Sequence, residues 1–155
     1  MSSNVEARLK AAGVTLPQPA APQANYVPFT ISGQQVFVAG QLPMLNGALA
    51  YSGKVGREIN AEDGKLAARL CAINLIAHLK TACNGDLERV VRVIRLGVFV
   101  ACTDDFTGQP LVANGASDLM AEIFGNAGRH ARAAVGTNVL PLNSPVEIDG
   151  IFEIR

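Results

Sequence analysis

The sequence predicts an α+β fold, a mixed sheet in the order β-β-α-β-α-β-β packed on two long helices. Three observations carry this expectation. Val146 to Ile154 alternates apolar and polar residues with the period of a half-buried strand. Asn60 to Gly85 repeats apolar residues at helical spacing. Val90 to Val100 is an apolar run of strand length, interrupted by Arg92 and Arg95. The 155 residues suit one domain, with residues 1–25 as an N-terminal extension.

The elements follow in chain order. Ser3-Asn4-Val5-Glu6 has capping-box spacing and Gly13 closes the segment, which predicts a helix from Val5 to Ala12. Thr15 to Asn25 holds Pro17, Pro19 and Pro22, so it is extended or irregular and lies over the surface. Tyr26 to Ile31 and Gln35 to Ala39 read as strands joined into a hairpin at Ser32-Gly33. Gly40-Gln41-Leu42-Pro43 ends the second strand, Asn46-Gly47 marks another turn, and Tyr51 to Gly56 is a loop. Asn60 caps the first long helix, with Leu66, Leu70, Ile73 and Ala77 as its expected apolar stripe and Ala67, Cys71, Leu75 and Leu79 beside it. The second long helix runs from Pro110 to Phe124 and is closed by Gly125; Leu111, Leu119, Ile123 and Phe124 face the sheet, and Gly115 counts against it.

Ala131 to Val135 and Val146 to Ile154 are the last strands. If they pair antiparallel about a turn near Val139-Leu140, Arg132 stands opposite Glu147 and His130 opposite Asp149. The sheet face left open by the helices then carries Arg132, Ala134 and small residues. That face is too apolar for water, and a subunit interface resolves it.

Composition excludes several functions. Thirteen basic and thirteen acidic residues give no net charge, so nothing draws the chain to nucleic acid or to an anionic membrane. Two tyrosines, six phenylalanines and no tryptophan leave few platforms for stacking bases. Cys71, Cys83 and Cys102 are odd in number and form no Cys-x-x-Cys pair, which favours free thiols over disulfides or zinc. Cys71 belongs to the core, while Cys102 is either packed or reactive. Asp104-Asp105 lacks the further oxygen ligands of a metal site, and Gly40, Gly47, Gly53 and Gly56 do not make a phosphate loop. His78 reads as a half-exposed helix residue with no second ligand near it. No secretory start or membrane span is visible, and a cytoplasmic protein is expected.

The candidate chemistry centres on Arg132 and Glu147. An arginine in a run of alanine and valine, facing a carboxylate, is either a cross-strand ion pair or a site for a small anion and a water. Arginine offers a planar fork of donors, and glutamate can take and return a proton. Neither role needs a metal or a cofactor. His130 shares the strand face of Arg132, where it tunes the cleft, touches substrate, or is an interface or surface histidine.

Ordered motifs then point to a family. Ala131-Arg132, Leu140-Pro141 and Val146-Glu147-Ile148-Asp149-Gly150-Ile151 resemble the C-terminal signature of the RidA family, also called YjgF or endoribonuclease L-PSP. Phe37-Val38-Ala39-Gly40-Gln41-Leu42-Pro43 is similar to its strand ending in Ser-Gly-Gln-Ile/Leu-Pro, and Tyr26 to the tyrosine before it. The resemblance spans about Pro22 to Arg155. It implies a chorismate-mutase-like fold of the bacillus type, assembled as a homotrimer with clefts between subunits. It further implies that Arg132 binds a substrate carboxylate, that Glu147 positions water, and that Tyr26 and Gly40 line the cleft. The implied reaction is hydrolysis of enamines or imines such as 2-aminoacrylate to 2-oxo acids and ammonia, without cofactor. Three positions depart from the pattern: Ala39 stands for the family serine, Ala134 for a frequent cysteine, and the helix asparagine aligns with Asn114 or Ser117. The alternatives are a regulatory trimer that binds a small carboxylate without turnover and, by the family's older name, a ribonuclease or translation inhibitor.

Overall fold

The computed structural model describes residues 4–19 and 24–155. Ser3 of the expected capping box and Pro22 of the proline-rich stretch lie outside them. The first helix, α1 (Asn4–Ala11), ends where expected: Gly13 has φ +70° and Val14 N–H reaches back to the Leu9 carbonyl. Val5 and Leu9 are buried, and Glu6 pairs with Lys80 at 2.7 Å, so this helix is docked on the body of the protein.

The sheet begins with β1 (Phe29–Ser32) and β2 (Gln35–Gln41), a hairpin closed by Gly33 at φ +61°. A left-handed first loop residue matches the right-handed twist of the flanking strands, as type II′ turns do. β1 starts three residues later than Tyr26. Pro28 has no N–H to donate, and its carbonyl accepts instead from Ala39 N–H at 2.9 Å. Asn46 and Gly47, both at positive φ, turn the small hairpin of β3 (Met44–Leu45) and β4 (Ala48–Leu49).

The long helix α2 (Ala61–Ala82) is capped by Asn60, whose side chain accepts from Asp63 N–H. Its buried stripe is not the one expected. Leu66 is half exposed and Leu70 and Ile73 are only partly buried, whereas Ala67, Ala68, Cys71, Ala72, Leu75, Ile76 and Leu79 are fully buried. Small residues occupy the contact because a second helix, α3 (Gln109–Phe124), approaches closely. Gly115 explains itself here: a Cβ at that position would overlap the Lys65 carbonyl of α2. Leu119, Ile123 and Phe124 are buried as expected, but Leu111 is 47% exposed, because Val112, Ala113 and Ala116 form the buried side of α3 there. His78 is also buried, with no partner for Nδ1, and burial lowers its pKa.

Three strands complete the main sheet: β5 (Val90–Ala101), β6 (Ala131–Thr137) and β7 (Val146–Ile154). The spatial order is β1-β2-β7-β5-β6. The antiparallel pairing of the last two strands is therefore wrong. β6 pairs in parallel with β5, Leu96 beside Arg132, while β7 sits centrally between β2 and β5, with Glu147 beside Phe99 and Asp149 beside Gly97. A strand, helix and strand of this kind close a parallel neighbour through the crossover helix α3. The fully apolar even face of β7 needs cover, so β7 takes the centre under α2 and leaves the edge to β6.

The face assignment changes accordingly. Leu96, Val98, Val100, Ile148 and Phe152 are buried on the helix side. By register, Arg132, Ala134 and Gly136 share that side at the β6 edge. The open face carries Phe37, Phe99, Val135 and Ile151 with Arg95, Asp149 and Glu147 among them.

Gly115→Ala tests the close helix contact. Alanine raises helix propensity by roughly 1 kcal/mol, yet overpacking against a fixed carbonyl costs about 1–3 kcal/mol. We expect a lower urea midpoint; a higher one would show that α2 and α3 part easily.

Candidate functional site

Two groups of side chains emerge, one at the β6 edge of the sheet and one on the central strand β7. The first surrounds Arg132 on the edge strand. Its Nη1 donates to Asn114 Oδ1 at 2.8 Å and to Ser117 Oγ at 3.0 Å, and its Nη2 donates to the Pro110 carbonyl at 3.3 Å. Pro110, Asn114 and Ser117 stand at i, i+4 and i+7 on one face of α3, so the helix presents them as a row. Sequence reasoning left Asn114 and Ser117 as alternatives, and both serve. The Pro110 carbonyl was not foreseen, because every residue carries a backbone carbonyl and nothing in the sequence marks this one.

All three acceptors are neutral. Among the described residues no carboxylate lies within ion-pairing distance of Arg132. Three of its five N–H groups hold it to α3. The remaining Nε–H and one Nη2–H can grip a carboxylate with two bonds. The guanidinium is partly exposed at the rim, and Ala134, on the same side of β6, packs against the core beside it.

His130 joins this group rather than facing Asp149. Its Nδ1 lies 2.6 Å from the Gly128 carbonyl and its Nε2 lies 2.9 Å from Ser117 Oγ. A carbonyl only accepts, so Nδ1 carries a proton, and in the neutral ring Nε2 then accepts from the serine hydroxyl.

The second group surrounds Glu147 on β7. Strand β2 bulges between Val38 and Gln41, spending three residues against two on β7. Gly40 lies in that bulge, and a Cβ there would overlap Glu147 Oε1. A side chain at 40 would displace the carboxylate from the place it occupies. Burial raises the Glu147 pKa above the usual carboxylate value, and the charge of Asp149 adds to the effect. A proton acceptor with a raised pKa is better matched to neutral pH. Ala39, held by its N–H to Pro28, borders a hollow of about 310 Å³ with Val27, Phe37, Arg95 and Asp149. Tyr26 stands exposed just before it.

The structure therefore brings Arg132, Ala134, Asn114 and His130 together, and Glu147 with Gly40 and Ala39, but keeps the two sets apart within the protomer. Strand β5 lies between β6 and β7, which separates them by two strand spacings, about 10 Å. Arg132 also points to the helix side and Glu147 to the open side. The cysteines stand outside both groups: all three are free and buried, and Cys102 Sγ accepts from Gln109 Nε2 at 3.5 Å. No group of three metal-binding side chains occurs among the described residues, and no helix there is long and apolar enough to cross a membrane.

These features define a class: an α+β protein with a guanidinium held by neutral acceptors at a sheet edge and a half-buried carboxylate beside a strand bulge. The profile described as "YjgF/chorismate mutase-like, putative endoribonuclease" matches residues 6–153, and the chain belongs to that family. A structure of a protein of unknown function from Agrobacterium tumefaciens is 53% identical, with a TM-score of 0.93 over 98% of this chain and 93% of that one. A structure titled a putative endoribonuclease from Shewanella oneidensis is 41% identical, with a TM-score of 0.94 over 98% of this chain and 100% of that one. Protein TCP17 of Trypanosoma cruzi is 44% identical across 99% of this chain and 96% of its own length. The chorismate-mutase-like fold is thereby established.

The histidine geometry is directly observable. Imidazole nitrogen NMR at neutral pH should find His130 protonated on Nδ1 and bare on Nε2; the opposite tautomer would contradict the bond to Gly128.

Proposed function

We propose that the protein is a cofactor-independent deaminase of reactive enamines and imines of the 2-aminoacrylate type, working in clefts between protomers of a homotrimer. The observation that carries this reading is the separation of its two half-sites. A guanidinium without counter-ion and a half-buried carboxylate are each incomplete within one chain. A second copy docked against the β6 edge can supply Glu147, Gly40 and Tyr26 opposite Arg132. The apolar residues Phe37, Phe99 and Val135, exposed on the open sheet face, support such an association.

The chemistry follows from the two groups. An enamine takes a proton from solvent at its terminal carbon to become the iminium form of the imine. Arg132 grips the carboxylate next to the imine carbon and orients it. Glu147 draws a proton from water as the oxygen adds to that carbon, giving a carbinolamine. The same carboxyl returns that proton to nitrogen; the oxygen lone pair then forms C=O as the C–N bond breaks, its electron pair leaves with ammonia, and the hydroxyl proton passes to the freed Glu147 carboxylate and on to solvent. Ala134 and Ala39 leave room beside the reacting carbon.

A regulatory trimer that binds a small carboxylate without turnover is the second reading. Ala39 favours it, since no hydroxyl stands at that end of β2. The relative described as a putative endoribonuclease raises RNA as a substrate, but the balanced charge and one fixed guanidinium suit a small anion better.

Purified protein should accelerate ammonia release from freshly generated 2-aminoacrylate. Arg132→Ala should lower kcat/KM by about 10²-fold, and Glu147→Gln by about 10²- to 10⁴-fold with carboxylate binding kept. Binding without any hydrolysis would favour the regulatory reading.

Subunit complementation tests the shared cleft. Chains carrying Arg132→Ala and Glu147→Gln, refolded together in equal amounts, should regain about one quarter of wild-type activity, because random assembly unites the two intact residues in that share of clefts. An inactive mixture would show that both residues come from the same chain.

A further inference from the structure

We propose that His130 is a positioning residue that fixes the Arg132 guanidinium through the Ser117 hydroxyl, in its neutral, Nδ1-protonated form. The inference rests on the reading of Arg132 as a carboxylate clamp and adds what sets its aim.

The chain of bonds has one direction. The Gly128 carbonyl accepts from His130 Nδ1–H at 2.6 Å, which leaves Nε2 as an acceptor. Ser117 Oγ–H donates to Nε2 at 2.9 Å, and this commits the hydroxyl hydrogen. The serine lone pairs then face Arg132, and one accepts from Nη1 at 3.0 Å. Without His130 the hydroxyl is free to rotate and the Nη1 bond loses its fixed acceptor. A doubly protonated ring would aim Nε2–H at the same oxygen as Arg132 Nη1–H, setting two cations on one hydroxyl.

The anchor is itself built into the fold. Gly128 ends the short turn from Gly125 to Gly128, and a Cβ at 128 would overlap the Met120 carbonyl of α3. That close approach pins the Gly128 carbonyl to the helix that also carries Ser117 and Asn114. The relay therefore runs from α3 through the turn and back to α3, with Arg132 as its outlet. Asn114 and Pro110 hold the other donors, so His130 governs one of three restraints and its loss should weaken the clamp without abolishing it.

The experiment measures pyruvate binding by calorimetry and hydrolysis of 2-aminoacrylate on the full-length protein. His130→Ala should weaken binding and raise KM about 5- to 10-fold, with kcat kept within about twofold, because orientation of the carboxylate acts equally on substrate and transition state. His130→Gln places an amide oxygen near the position of Nε2 and should restore binding to within about twofold of wild type. Ser117→Ala should match His130→Ala, and the double variant should be no worse than either, since both cut one relay. Wild-type affinity in His130→Ala, no rescue by glutamine, or fully additive effects would each overturn the proposal. The two readings fail differently. If Arg132→Ala binds pyruvate as well as wild type, or wild type does not bind it, the clamp itself is wrong and the relay falls with it. If Arg132→Ala abolishes binding while His130→Ala leaves it intact, only the relay is wrong.

Discussion

The parallel pairing of β6 with β5 governs the rest of this structure. With Leu96 beside Arg132, the arginine turns to the helix side of an edge strand, where α3 offers it three neutral oxygens in a row. An ion pair with a carboxylate would have quenched the charge. Neutral acceptors instead hold its position and leave the charge available. The cost of keeping a cation without a counter-ion stays small because the site is at the rim, in contact with water.

The same pairing places Glu147 on the central strand β7, with β5 between it and Arg132. Its environment is the opposite of the arginine's. Burial raises its pKa, and a bulge in β2 with glycine at position 40 makes the space it fills. One group keeps its charge at the surface, and the other is driven toward sharing a proton. That division of roles suits the proposed addition of water to a bound anion, while the two groups stay apart within the protomer.

Close packing links these features to stability. Helices α2 and α3 meet through alanines and Gly115, and the Gly125–Gly128 turn presses Gly128 on Met120. Each is a place where a methyl group has no room. The glycine that seemed to weaken the second helix is a condition of its packing.

Much was legible in the sequence. Period-two alternation in Val146 to Ile154 reads directly as one buried and one open face, because strand side chains alternate whatever the neighbour. The caps at Gly13 and Asn60 and the turns at Gly33 and Asn46-Gly47 follow from local backbone chemistry. Arg132 and Glu147 also stood out as candidates, since a guanidinium among alanines and a carboxylate on an apolar strand are conspicuous. Strand order was another matter. Whether β6 lies beside β7 or β5 depends on where α3 returns the chain, a long-range outcome with no local mark. The wrong neighbour turned Arg132 toward Glu147, and the wrong stripe on α2 left Leu66 inside. Local propensities act over a few residues and determined the elements; their partners were decided by which faces the core had to cover, and only the folded chain as a whole settles that competition.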